Sequence, residues 1–156
     1  MITKELISGV QTKKLTVIPD ERGRLMEVLR SDDPLFIKFG QLYMTVANYE
    51  VVKGWHYHKV QWDNFAVLKG MIKLVLYDSR KDSPTYQKVN ELFIGEHNPL
   101  LVRIPPYVLH GFKGISHPDA MVVNCATEVY QYNEPDEFRV HPHDNDIPYK
   151  WARKDG

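Results

Sequence analysis

The sequence predicts an all-β barrel or sandwich of jelly-roll type. Short segments with alternating apolar residues recur at roughly 8–12-residue intervals. Ten prolines and nine glycines punctuate the 156 residues, so no long helical period survives. Two alternating runs flank Lys69-Gly70, a turn dipeptide whose glycine is free to take positive φ.

Each element follows from local pattern. KKLTVI (13–18) alternates and is β-branched, which predicts a strand. PDERG (19–23) predicts a turn, and RLMEVL (24–29) a second short strand. SDDPLFIKFG (31–40) predicts one short helical turn after Asp33, ended by Gly40. QLYMTVANYEVVKGWHYH (41–58) predicts two extended segments broken near 48–50. FAVLKGMIKLVLYD (65–78) is the hairpin, and DSRKDSPTY (78–86) a polar loop. NELFIG (90–95), PLLVRIP (99–105) and DAMVVNCATEVY (119–130) predict three further strands. From Asn133 onward Pro135, Pro142 and Pro148 predict irregular chain. One domain over residues 1–156 accommodates all of this.

Composition narrows the function. Net charge is zero, which gives no global pull toward nucleic acid or a membrane surface. Cys125 is the sole cysteine, so no intramolecular disulfide forms and a reducing compartment fits. MITKELISGV lacks the apolar run of a signal peptide, and no segment is long enough to span a bilayer. A cytoplasmic protein without nucleic-acid or membrane partners is expected.

The chemistry concentrates in GWHYHKVQWDNFAVLKG (54–70). His56 and His58 share parity on a predicted strand, so both side chains point to one face. Asp63 follows five residues after His58 and Gly70 closes the run. This spacing follows the first motif of the cupin barrels, with Asp63 where those usually carry glutamate. Pro105 and His110 keep the ends of the second cupin motif without its glycine. Taken as a metal set, His56, His58, Asp63 and His110 supply three imidazoles and a carboxylate, which suits a divalent ion. Trp55, Trp62 and Cys125 read as packing, Arg80 as a structural ion-pair residue, and His97, His117, His141 and His143 as surface positions.

A wider resemblance runs from about residue 17 to 151. Asp20-Glu21-Arg22-Gly23 with Glu27 resembles the opening of the dTDP-4-dehydrorhamnose 3,5-epimerase family. Gln41, followed fifteen residues later by His56 of Lys53-Gly54-Trp55-His56-Tyr57, is similar to its next signature. The 78–86 loop, Ile104-Pro105 with His110-Gly111-Phe112, Ala126-Thr127 and the closing Ile147 to Trp151 complete it. The resemblance implies a cupin-type double-stranded β-helix (jelly roll) that pairs as a homodimer. It implies an isomerase that abstracts an α-proton from a nucleotide-linked 4-keto-6-deoxy sugar, in deoxysugar or polysaccharide biosynthesis, with no cofactor required.

By that resemblance His56 is the base and Lys53 a cation near the sugar oxygen. Arg22, Glu27, Gln41 and His110 fall at positions that hold substrate. His58, Asp63 and Asn124 join the candidate pocket. Three departures stand out. Asn124 occupies the place of the family's proton-donating tyrosine, and asparagine is no general acid. Asp63 replaces a lysine. The late aspartate has no secure counterpart, Asp155 having only a suggestive context. Tyr130, or Tyr132 beyond it, supplies the proton if the strand register differs from the count. Two further readings stay open: a metal-dependent cupin using the His/His/Asp/His set, and a sugar-nucleotide-binding module without catalysis.

Overall fold

A computed structural model describes residues 2–154. It has twelve strands: β1 (Gln11–Lys14), β2 (Val17–Asp20), β3 (Gly23–Met26), β4 (Gln41–Asn48), β5 (Val52–Tyr57) and β6 (Asp63–Lys69). These are followed by β7 (Met71–Asp78), β8 (Val89–Gly95), β9 (Leu100–Ile104), β10 (Val108–Gly114), β11 (Asp119–Ala126) and β12 (Phe138–Arg139). Among the described residues there is no helix, so none is long and apolar enough to cross a membrane.

The strands form two five-stranded sheets, ordered β1-β9-β6-β11-β4 and β12-β5-β10-β7-β8, with β2-β3 as a separate hairpin. Inward residues of both sheets interdigitate, with Phe65 and Val67 of β6 packed among Ile72, Leu74, Leu76 and Phe112 of the facing sheet. This is the expected jelly-roll arrangement of two sheets closed over one core. Trp55 is fully buried on the outer side of its sheet, where the C-terminal chain lays Tyr149 and Trp151 against it. Its packing role stands. The β6–β7 hairpin turns at Gly70 as expected, with φ +73° and no room for a Cβ beside the Ser116 hydroxyl.

Two local expectations are corrected, and one strand is added to those expected. Residues 31–40 form turns rather than a helical turn. Asp33 closes one turn, its carboxylate accepting the Leu35 N–H and its carbonyl the Phe36 N–H, and the chain is then drawn off toward β11, where the Gly40 N–H donates to the Ala126 carbonyl. The 13–18 segment is divided: Leu15 turns into the core between β1 and β2, which belong to different sheets. Residues 108–114, VLHGFKG, form a fully buried strand at the centre of its sheet. Two glycines, a histidine and a lysine hide its period, and one of those glycines has a structural purpose. A Cβ on Gly111 would lie 3.0 Å from the Cα of Gly54, and one on Gly54 2.8 Å from the Cα of Gly111. Only glycine at both places lets β5 and β10 approach this closely, at a register shift that leaves His56 opposite His110.

Candidate active site

The mouth of the barrel opens into a cavity of about 1290 Å³ between the sheets. One wall carries Lys53, His56 and His58 from β5 and its exit, with His110 from β10. The facing wall carries Gln41, Tyr43 and Thr45, the inward-pointing residues of β4. The chain beyond β11 and around β12 forms the rim, with Tyr130, Asp136, Glu137 and Arg139. A volume of this size exceeds that of a drug-sized ligand site and suits a longer, two-part molecule.

Behind the histidines lies a dense polar network. Asp63, 1% exposed, places Oδ2 3.1 Å from both His58 Nε2 and His110 Nε2. Its Oδ1 accepts from Gln61 Nε2 (2.8 Å) and Asn124 Nδ2 (2.6 Å). The other ring nitrogens also face oxygens: His58 Nδ1 donates to the Asp136 carbonyl, and His110 Nδ1 lies 3.1 Å from that of Val108. Burial alone would raise the Asp63 carboxyl, but the hydrogen bonds from His110 and His58 hold it well below the carboxylate range. Burial likewise opposes charge on His58, but Asp63 and then Asp136 outweigh it and raise His58 to about 9. His58 is therefore an imidazolium at neutral pH.

His56 is the opposite case. Among the described residues its ring has no hydrogen-bond partner, and it faces the cavity with its centroid 6.2 Å from that of His110. Burial lowers it to about 4, and His110 pushes the same way. It is a neutral imidazole with a free lone pair. Three residues earlier, on the same strand, Lys53 Nζ donates to Thr45 Oγ1 (2.6 Å), so a cation is pinned in the same cavity.

Not every expected residue arrives. Lys53, His56, His58, His110, Gln41 and Tyr130 line the cavity, while Asp63 and Asn124 stand directly behind its wall. Gln41 Oε1 accepts the Tyr130 N–H, tying the rim to β4 (3.1 Å). Tyr132 lies at the rim, 90% exposed. Arg22 and Glu27 do not line the cavity of their own chain. Arg22 sits on the β2–β3 turn paired with Asp20, and Glu27 pairs with Arg30, all on the surface. Asp155 lies outside the described residues. Of the proposed metal set, His58, Asp63 and His110 converge within 4.8 Å of one another; His56 is not in that group.

Sequence reasoning missed Tyr43, Thr45, Gln61 and Asp136. Tyr43 and Thr45 share parity with Gln41, and that alternation was the available signal. Asp136 gave none: it caps residues 59–61 by accepting three backbone N–H groups across a long loop.

The geometry has counterparts. A family model described as dTDP-4-dehydrorhamnose 3,5-epimerase matches residues 4–156. A probable low-salt glycan biosynthesis epimerase of Haloferax volcanii is 41% identical over 140 residues, covering 88% of this chain and 89% of that protein. The spore coat polysaccharide biosynthesis protein SpsL of Bacillus subtilis is 35% identical over 146 residues, covering 94% and 97%. Among solved structures, a dTDP sugar isomerase from Desulfovibrio desulfuricans superposes with a TM-score of 0.90 at 35% identity, covering 96% of this chain and 94% of that one.

Proposed function

The chain belongs to the dTDP-4-dehydrorhamnose 3,5-epimerase family, and on that premise we propose that it inverts a carbon next to the ketone of a nucleotide-linked 4-keto-6-deoxy sugar. One observation carries the reading: a neutral His56, without a hydrogen-bond partner among the described residues, facing a large cavity that also holds a pinned lysine. The ketone acidifies the neighbouring C–H. His56 takes that proton, the C–H pair becomes the enolate, and the charge arrives on the carbonyl oxygen. Lys53 supplies positive charge in the cavity where that oxygen develops, while His58 has its charge balanced by Asp63. The test is proton NMR in D2O with dTDP-4-keto-6-deoxyglucose and its UDP counterpart. Solvent deuterium entering at C3 or C5 is the expected result. Absence of exchange with both sugars would defeat the proposal and favour the binding-module reading.

We assign His58, Asp63 and His110 to a hydrogen-bonded cluster rather than to a required metal. The donors would fit a cation, since three ligand atoms converge. Against that, both Nε2 atoms lie at hydrogen-bond distance from Asp63 Oδ2, and Gln61 and Asn124 take up Oδ1, so the cluster is satisfied without an ion. Exchange activity should therefore survive exhaustive chelation within about twofold. A drop that added divalent metal restores would contradict this.

A homodimer completes the proposed site. Leu42 and Met44 are exposed on the outer side of edge strand β4, and Ile18 and Leu25 on the hairpin. A second copy covering these side chains would also give Arg22 and Glu27 a substrate to meet. Leu42→Glu with Met44→Glu is expected to yield monomers by light scattering; an unchanged mass would move the interface elsewhere.

A further inference from the structure

We propose that Tyr43, on β4, is the proton donor that returns hydrogen to the sugar from the face opposite His56. The inference rests on the epimerase reading and names the acid that reading lacks, since Asn124 cannot serve.

The argument starts from Asn124. Its orientation is fixed by partners of unambiguous type. Asn124 Oδ1 accepts the backbone N–H of Asn64 (2.9 Å), a group that only donates. Asn124 Nδ2 therefore faces the other way, donating to the Asp63 carboxylate (2.6 Å) and to Tyr43 Oη (3.0 Å). The phenol oxygen is thus an acceptor toward Asn124. Its own hydrogen must point elsewhere, and among the described residues nothing accepts it. Tyr43 lines the cavity, so that hydrogen is available to a ligand there.

Position agrees. Tyr43 and Asn124 are direct cross-strand partners on β4 and β11. A hydroxyl that the family places on the Asn124 strand is here delivered from the neighbouring strand and held by Asn124. β4 belongs to one sheet and β5, carrying His56, to the other, so acid and base stand on facing walls. Inversion needs that arrangement, because a proton returned from the face it left restores the starting centre. Tyr130 and Tyr132, two further phenols of the cavity lining, sit on the rim with their rings against each other, Tyr130 tied to β4 through its backbone N–H and Gln41.

The step balances. His56 removes the α-proton and becomes imidazolium while the C–H pair forms the enolate. The enolate carbon then takes the Tyr43 O–H hydrogen, the new C–H bond forms, and the ketone returns. The phenolate left behind accepts the Asn124 N–H. Solvent in the open cavity moves the proton from His56 back to Tyr43, and nothing is oxidised or reduced. Burial and the Asp63 charge raise the phenol to about 12, so it is fully protonated when substrate arrives.

The test separates exchange from inversion. In Tyr43→Phe, inversion should fall by about 10²-fold or more, while deuterium wash-in by His56 at the same carbon stays within a few-fold of wild type. dTDP affinity should be unchanged, which verifies the fold. A second protein with 3-fluorotyrosine at 43 keeps ring and hydroxyl, and should change the inversion-to-exchange ratio without changing affinity. The proposal is overturned if Tyr43→Phe inverts at the wild-type rate, if exchange is lost together with inversion, or if Tyr130→Phe alone shows inversion lost with exchange kept. Wild-type protein that exchanges nothing would instead defeat the epimerase reading, and this inference with it.

Discussion

His56→Asn is expected to reduce α-proton exchange by about 10²–10⁴-fold, the usual contribution of a positioned general base, while leaving nucleotide affinity within a few-fold. The amide keeps the polarity and approximate size of the ring and removes the basic lone pair. The wild-type pH profile should carry the signature of the same residue. A histidine lowered to about 4 is in its basic form throughout the neutral range, so kcat/KM should hold on acidification until roughly pH 4. An ordinary histidine would lose activity near 6.5. Lowering has a chemical cost, because a weaker base drives proton removal less strongly. The burden then shifts to the enolate oxygen, where Lys53 acts. Lys53→Gln should accordingly lower kcat more than it raises KM, because the charge it meets exists only beyond the ground state. An acid limb near 6.5, or exchange surviving in His56→Asn, would remove His56 from this role.

The sequence carried His56, its strand and its place on the cavity wall clearly, because a His-x-His pair on an alternating segment declares its face. It carried the β6–β7 hairpin for the same reason. It hid β10, whose two glycines erase the period, one of them, Gly111, permitting with Gly54 the close approach that sets His56 opposite His110. Parity also ran out at the His58–Asp63 pair. On one face, two histidines and a nearby aspartate are compatible with a metal or with a hydrogen-bonded cluster. What favours the cluster is that two Nε2 atoms and the Gln61 and Asn124 amides already satisfy the Asp63 carboxylate, with the His58 ring oriented by the carbonyl of Asp136, 78 residues away. No local pattern encodes such a contact. The same limit concealed Tyr43. Asn124 was legible as the loss of an acid, but its replacement lies on a strand 81 residues distant in sequence and adjacent only through sheet pairing.

Asp63→Ala is expected to be the most destabilising single change at the site, on the order of 3–5 kcal/mol and roughly 10 °C or more in Tm. Four donors converge on this carboxylate, from His58, His110, Gln61 and Asn124, and an alanine would leave all of them without it. Asp63→Asn should behave differently. Its oxygen can still accept from Gln61 and Asn124, while its NH2 offers one hydrogen to each Nε2. Both rings would then accept on Nε2 and keep Nδ1–H on their carbonyls, so every bond survives with neutral histidines. The difference between the two variants should appear in pH dependence. His58 rises from 6.5 to about 9 on folding, so its ion pair stabilises the fold fully below pH 6.5, and that stability is lost as pH climbs through 9. The shift corresponds to about 3 kcal/mol at 1.36 kcal/mol per unit. Wild-type protein should therefore weaken between pH 6.5 and 9 in urea titrations, and Asp63→Asn should be flat across that window. A flat wild-type curve, or an Asp63→Ala variant within about 3 °C of wild type, would show that the carboxylate does not hold the cluster, leaving Asn124, and through it Tyr43, without the anchor that fixes them.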